Sequence, residues 1–394
     1  AINAQISAEF DRATAEAAST VAIEQQATAE AERAEAERQT NIALSRQLAA
    51  ESLNVLGTDP ERAIQLAMEA IRASKTREEA VIPEAINALH RAVQSSRVQT
   101  VIKAYDTIVF DVSYSLDGKY LASGGFDGNV YIWDLETANP PLALSRDSIS
   151  LTGAKINQDG TLIFLSDIKG NVEVWDLATK QLLPGYPKSL HKEAAIIDVD
   201  LTQDDSLLAT TGSDSTTRIT DATTGEIIQQ IPLDGIGCGV AFNADGSQVV
   251  TGDINGSIYL WDLEKEQEIR QFTHASEHQE ACAVALSPDN QLLATGGADM
   301  TTKLWSQETG ELLSTLAQHT DTIFRITFSP DGKLLASAGF DNKANVYDVV
   351  SGKLLQTLAG HKGRLRAVAF APDGSQLVSA DEAGEIRFWD VSFG

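Results

Sequence analysis

Cysteine is nearly missing from this chain: Cys238 and Cys282 are the only two in 394 residues. Two thiols make neither a disulfide framework nor a zinc site by themselves. So low a count fits a reducing compartment, and the expected location is cytoplasmic. Long apolar runs are missing too. No uncharged stretch approaches the roughly 18 residues that a membrane span takes, and residues 1–50 are polar, alanine-rich and acidic, without the apolar centre of a signal peptide. The chain opens on Ala1, not on methionine, so it is expected to be a piece of a longer or processed protein. Positive charge is scarce: 30 Lys and Arg stand against 56 Asp and Glu, a net charge of −26. Such a surface repels phosphate, which argues against nucleic acid and anionic membrane as partners. The signatures G-x-x-x-x-G-K-[ST] and G-x-S-x-G do not occur.

What the chain does have is a repeat. A turn dipeptide recurs at Asp117-Gly118, Asp159-Gly160, Asp204-Asp205, Asp245-Gly246, Asp289-Asn290, Asp331-Gly332 and Asp373-Gly374. Sixteen residues after each Asp stands Trp133, Trp175, Thr220, Trp261, Trp305, Tyr347 or Trp389. The period varies between 41 and 45 while the inner distance stays constant. A fixed hairpin joined by loops that absorb insertions gives that pattern. In the sixth unit, alternation and the Pro-Asp-Gly turn predict strands at 323–328, 333–337, 344–350 and 353–358. One four-stranded sheet cannot cover both its faces, so the units must stack, and seven can close a ring. The last unit ends five residues after Trp389 and lacks its fourth strand. Gln99-Thr100-Val101-Ile102 echoes Gln356-Thr357-Leu358-Ala359 and is expected to supply it.

With Trp-Asp at 133–134, 175–176, 261–262 and 389–390, these units resemble the WD-repeat family. The resemblance implies a seven-bladed β-propeller, all-β and preceded here by an α-helical segment. It also implies a tetrad of loop His, strand Ser or Thr, turn Asp and Trp. The tetrad reads as His278, Thr295, Asp299 and Trp305 in unit five, and as His319, Ser337, Asp341 and Tyr347 in unit six. Unit seven offers His361, Ser379 and Trp389, with Ala383 where the Asp belongs. Units two and four lack His and Asp at these places.

Residues 1–56 hold no Pro or Gly and are crowded with helix formers. The expected division is a long helix at 1–57, stalk, coiled coil or solvated single helix, then a helical linker bundle at 58–97 and the propeller at 98–394. Asp59-Pro60 reads as the start of a second helix, with Ile64, Met68 and Ile71 on one face. Thr76-Arg77-Glu78-Glu79 reads as a capping box before a third, with Ile82, Ile86, Leu89 and Val93 inward; Leu44, Leu48 and Val55 form the matching stripe on the first. The runs 45–50, 59–64 and 66–70 resemble the linkers that precede propellers in bacterial multidomain signalling ATPases. That resemblance implies an effector module upstream.

Enzymatic motifs are thin. His274-Ala275-Ser276-Glu277-His278 matches the zinc signature H-x-x-E-H, but no helix fits between the flanking strands. Gly235-x-Gly237-x-Gly239 enters a strand, unlike a phosphate cradle at a helix start. Cys238 and Cys282 occupy equivalent inner-strand positions and read first as two buried thiols, with a redox pair as the lesser reading. No enzyme activity, cofactor or metal is expected. The expected role is a protein-binding or sensing scaffold; the alternative is a structural or assembly subunit whose long helix oligomerises or tethers the propeller to a membrane or larger complex. In WD-repeat proteins partners commonly use the face built from loops entering the inner strands and turns between second and third strands. Here that face carries Phe110, Phe126, Ile254, Phe324, Phe340, Arg364 and Arg366, the residue types that dominate interfaces.

Overall fold

The computed structural model describes residues 2–56, 60–74, 82–95, 97–137, 139–145, 150–274 and 280–393, with helix side chains described at 19–56, 62–74 and 82–92. The chain divides into two compact units, Ala1–Ser96 and Arg97–Gly394.

The first unit holds α1 (Ile2–Val55), α2 (Pro60–Ser74) and α3 (Pro83–Ser95). Pro60 and Pro83 each occupy the first helical position, where a missing N–H costs no hydrogen bond. The capping box expected at 76–79 lies outside the described residues. The packing faces differ from those expected. Ala49, Ala67, Ala70, Ala85 and Ala88 form the buried cluster, with Leu48, Leu53, Ile71, Ile82 and Leu89 at its margin. Leu44, Met68 and Ile86 lie exposed. Small residues let the helix backbones approach closely. Ser45 and Ser52 on α1 donate hydrogen bonds of 2.6 and 2.7 Å to the Ala70 and Ala63 carbonyls of α2. Three positions weighted as core for their size therefore face water.

The second unit is seven antiparallel sheets. Their innermost strands are Val109–Tyr114, Leu151–Ile156, Ile196–Leu201, Gly237–Phe242, Ala283–Leu286, Ile323–Phe328 and Leu365–Phe370, and these number blades one to seven. Each inner strand packs on the next, and the seventh packs on the first, so the ring is closed. In blade six the strands run Ile323–Phe328, Leu334–Gly339, Ala344–Asp348 and Leu354–Leu358, within a residue or two of the alternation read from sequence. The missing strand is where the echo placed it. Val98–Lys103 pairs antiparallel with Glu385–Asp390, Ile102 opposite Ile386 and Val101 opposite Arg387, which completes blade seven with the N-terminal end of the unit.

The core lies between neighbouring blades. Ala336, Val346 and Leu358 of blade six meet Leu365, Phe370, Leu377 and Trp389 of blade seven in one buried cluster. Every first turn is built alike. The marker Asp accepts the N–H two residues on, at 2.9–3.1 Å in all seven units. The residue between sits at φ of 58–72°, the left-handed region that Gly, Asn and Asp tolerate best. This explains why the dipeptide reads Asp-Gly, Asp-Asp or Asp-Asn. The Asp after each Trp does similar work at the third turn, where Asp348 accepts the Ser351 N–H at 2.8 Å. Ser306 substitutes its hydroxyl for that carboxylate, accepting the Thr309 N–H at 3.1 Å.

Candidate functional site

Four blades assemble a His–Ser/Thr–Asp relay, and a Trp completes the tetrad in blades five and seven; the Tyr347 hydroxyl expected to complete blade six is buried without a partner. In blade six His319 holds Asp341 at 3.0 Å and Ser337 at 2.7 Å. In blade five Trp305 donates to Thr295 at 2.8 Å, but the histidine on Thr295 (2.7 Å) and Asp299 (3.0 Å) is His274. His278, the expected member, lies outside the described residues. Blade three has a relay that was not anticipated: His191 between Thr210 and Asp214, 2.9 Å from each, while Thr220 at the Trp position donates to the Leu208 carbonyl at 3.0 Å instead. In blade seven His361 contacts Ser379 at 2.6 Å and Asp381 at 2.9 Å, and Trp389 donates to Ser379 at 2.8 Å. Blade one uses Tyr105 in the histidine's place, its hydroxyl donating to the Ser123 carbonyl at 2.7 Å.

Asp381 corrects the expectation built on Ala383, and blades two and four follow it. Their Asp167 and Asp253 stand eight residues before the Trp, not six, at the end of the second strand. From either place the carboxylate reaches an N–H at, or one residue before, the start of the third strand. Asp167 accepts from Asn171 at 2.9 Å, Asp253 from Ser257 at 3.0 Å and Asp381 from Glu385 at 2.8 Å. Asp127, Asp299 and Asp341 accept theirs from two residues on. Where Asp takes the later place, the earlier one is Gly125, Gly212, Gly297 or Gly339. A Cβ on Gly339 would lie 2.5 Å from the His319 ring and 2.7 Å from Asp341. Glycine there clears the space that carboxylate and ring fill.

Beside the tetrads the inner strands carry a second device. In six blades the ladder to the second strand skips one residue, a β-bulge that ejects Phe110, Thr152, Ile197, Cys238, Phe324 or Arg366. Blade five places Cys282 at the equivalent position, just before its ladder begins. Sixteen residues on, the turn between second and third strands offers Phe126, Ile168, Ser213, Ile254, Ala298, Phe340 or Glu382. The amide of that residue donates to the carbonyl two residues before the bulge, at 2.8–3.2 Å in all seven blades. Each blade thus presents two side chains held together by backbone.

Three adjacent blades spend these pairs on one cluster. Phe110 stacks on Phe126 at 5.6 Å and Phe324 on Phe340 at 5.4 Å. Arg366 binds Glu382, its Nε 2.8 Å from Oε1. The Arg366 guanidinium lies 4.6 Å from the Phe324 and Phe340 ring centres and 5.6 Å from that of Phe110. Arg364 covers Phe340 at 5.0 Å. Phe126 keeps 38% of its surface exposed. Six of the seven residues singled out from sequence therefore meet at one mouth of the ring. Ile254 belongs to blade four, three blades from Arg366, and stays apart.

The bulge also corrects the reading of the cysteines. It brings the Cys238 and Cys282 Cα atoms to 4.9 Å, and the pair is joined as a disulfide between blades four and five. The step from few cysteines to a reducing compartment loses its footing here.

Below the mouth the inner strands enclose a cavity of about 460 Å³. The free edge of an inner strand has N–H groups that no further strand can take. Asp198 and Asp200 of blade three accept those of Val240 and Phe242 in blade four, at 3.0 and 2.9 Å. Asp111 and Ser113 of blade one serve Ala154 and Ile156 of blade two. Arg325 pairs with Asp198 at 2.6 Å and Lys155 with Asp111 at 3.2 Å. Burial raises the pKa of Asp200 to about 6, against the opposing pull of Lys155. Burial also works against the Lys155 ammonium, but Asp111, Asp200 and Asp198 prevail and hold its pKa above the ordinary value.

Metal-type donors meet at His361, Asp381 and Glu385. Both His361 nitrogens are already engaged, and Glu385 pairs with Lys362 and Arg387 at 3.0 Å, so the group is a hydrogen-bond relay. His274 likewise spends both nitrogens inside its tetrad, which removes the first ligand of the H-x-x-E-H reading. Among the described residues no helix is long and apolar enough to cross a membrane.

A ring of seven antiparallel blades, six of four strands and blade two with its outer strand in two pieces, carrying His–Ser/Thr–Asp relays and indole anchors, is a seven-bladed β-propeller of WD40 repeats, a class of protein-interaction scaffold. Comparison agrees: the profile described as WD domain, G-beta repeat, matches residues 96–134, 234–262, 267–306, 310–348 and 352–390. The chain is 26% identical over 234 residues to nuclear distribution protein nudF of Aspergillus niger, covering 53% of this chain and 52% of that one. It is 26% identical over 215 residues to human striatin-4, covering 52% and 28%. It is 32% identical over 184 residues to eukaryotic translation initiation factor 3 subunit I of Phaeosphaeria nodorum, covering 44% and 54%. The chain thus spans about half the length of the first and third and little more than a quarter of the second. All three are eukaryotic proteins and do not bear on the bacterial linker resemblance.

Proposed function

We propose that the propeller is a scaffold that takes a protein or peptide partner at the mouth built by Phe110, Phe126, Phe324, Phe340, Arg364 and Arg366. One observation carries this reading. Two stacked phenylalanine pairs and two arginines are gathered at the surface of a strongly acidic chain, where solubility alone calls for neither. Arg366 is bound to Glu382 within the cluster, so replacing it by Glu would set two carboxylates face to face and confuse recognition with damage. The cleaner test is Phe126→Ser with Phe340→Ser. Tagged wild type and double variant are compared by quantitative pull-down after their melting curves are shown to match. Loss of the wild-type partners supports the reading; unchanged recovery refutes it and moves recognition to the rim or the helices.

The finer context is also a proposal: the chain is the C-terminal part of a bacterial multidomain signalling or defence protein, with an effector upstream. It rests on the resemblance of segments 45–50, 59–64 and 66–70 to such linkers, and the full open reading frame decides it. An assembly role for α1 is the second proposal. Residues 19–40 are exposed throughout, so this stretch of helix has an unfilled surface along its length. Sedimentation equilibrium of the full chain against a 41–394 truncation tests self-association: a dimer that survives truncation counts against α1.

A further inference from the structure

The chemistry that the mouth selects is written in the one arginine it leaves unspent. Carboxylates outnumber cations on this chain, 56 to 30, and the propeller's arginines are mostly paired. Arg97 meets Asp390, Arg218 meets Asp214, Arg325 meets Asp198, Arg366 meets Glu382 and Arg387 meets Glu385. Arg270 donates to the Glu308 carbonyl. Among the described residues of the propeller, only the Arg364 guanidinium meets neither a carboxylate nor a carbonyl. It lies exposed, over the Phe340 ring at 5.0 Å, and the Arg364 backbone is held by its own carbonyl, which accepts the Glu382 N–H at 3.0 Å. Glu382, whose backbone it holds, has its carboxylate taken by Arg366. An exposed guanidinium fixed over an aromatic ring presents its fork of donors outward, and a carboxylate matches that fork.

Resting on the reading of the mouth as the recognition face, we propose that its occupant is a short peptide segment with a single carboxylate next to an aromatic or aliphatic side chain. The carboxylate binds Arg364, and the apolar neighbour packs on Phe126 and Phe340. A basic side chain would meet Arg364 and Arg366 at the mouth and find Glu382 engaged. A run of acidic residues, or a doubly charged phosphate, would be repelled at longer range by the chain's net charge of −26. One carboxylate beside an apolar group satisfies both limits.

The test uses the immobilised full chain and four synthetic dodecapeptides of one neutral sequence, read by surface plasmon resonance. Their central pair is Phe-Glu, Phe-Gln or Phe-Lys, and the fourth carries Phe followed by five Glu. The Phe-Glu peptide should bind best, about tenfold tighter than Phe-Gln. Arg364→Gln should erase that tenfold while leaving Phe-Gln binding unchanged, and Arg364→Lys should restore part of it. Equal binding of Phe-Glu and Phe-Gln, a preference for Phe-Lys or for the acidic run, or no binding by any peptide overturns the proposal. Binding that ignores charge but is lost in Phe126→Ser, Phe340→Ser sinks the anion and leaves the face standing. Binding indifferent to both phenylalanines sinks the face as well.

Discussion

At the residue scale the histidine relays carry most of the specific chemistry, and their failures are measurable. The Asp341 side chain is buried. Burial works to raise its pKa, but the His319 hydrogen bond prevails and holds it below the usual carboxylate range. Asp341→Ala strands His319 and the Thr320 amide, and should cost about 1–3 kcal/mol in urea unfolding. Glu268→Ala, on an exposed outer strand, should change stability by less than about 0.5 kcal/mol. Equal costs would remove the relay from the account. His274→Ala should destabilise by a similar 1–3 kcal/mol while His278→Ala should not, which checks the reassigned tetrad.

Acidity separates two kinds of buried group. Burial lowers the pKa of His191 and His361, against the pull of Asp214 and Asp381. Folded histidines with depressed pKa bind fewer protons than unfolded ones, so their stabilisation is present above about pH 6.5 and is lost as pH falls through the folded values. Asp200 has the opposite sign. Its raised pKa means a contribution fully present below about pH 4 and lost as pH rises through about 6. Asp200→Asn should therefore raise the melting temperature at pH 8 and leave it unchanged near pH 3.5. A gain equal at both pH values contradicts the burial of that carboxylate.

At the element scale the sequence exposed the repeat because each marker has a local physical cause. The Asp-Gly turn needs a left-handed residue, and the Trp-Asp pair anchors one strand and caps the next turn. Those signals survive without knowledge of neighbours, and so did the echo that placed the closing strand. What stayed hidden is what depends on registers. The bulge that ejects Phe110, Cys238 or Arg366 leaves no composition mark, so the disulfide and the pairing of residues sixteen apart were not legible. The Asp that serves from eight residues before the Trp was missed because the pattern was read at a fixed offset. The helix faces were misjudged for a related reason: size was taken for burial, while close approach selected alanine. Two variants test these elements. Deleting residues 97–103 should open blade seven and cause aggregation or a fall in melting temperature. Cys238→Ser with Cys282→Ser should cost up to about 4 kcal/mol in the absence of reductant, and reductant should lower the wild type towards the variant.

At the scale of the whole molecule, the ring is a device for assembling side chains that are far apart in sequence. Phe110 and Arg366 lie more than 250 residues apart, yet the closure of blade seven on blade one sets them 5.6 Å from each other. Strands alternate direction, so the mouth turns and Val350, which is 93% exposed, occupy opposite ends of their strands. Site-specific photocrosslinking therefore discriminates between the two faces. A benzoylphenylalanine at position 126 and another at position 350 are irradiated in separate full-length chains with partners present. The account predicts partner adducts from position 126 and none from position 350. Adducts from position 350 with position 126 silent would contradict it.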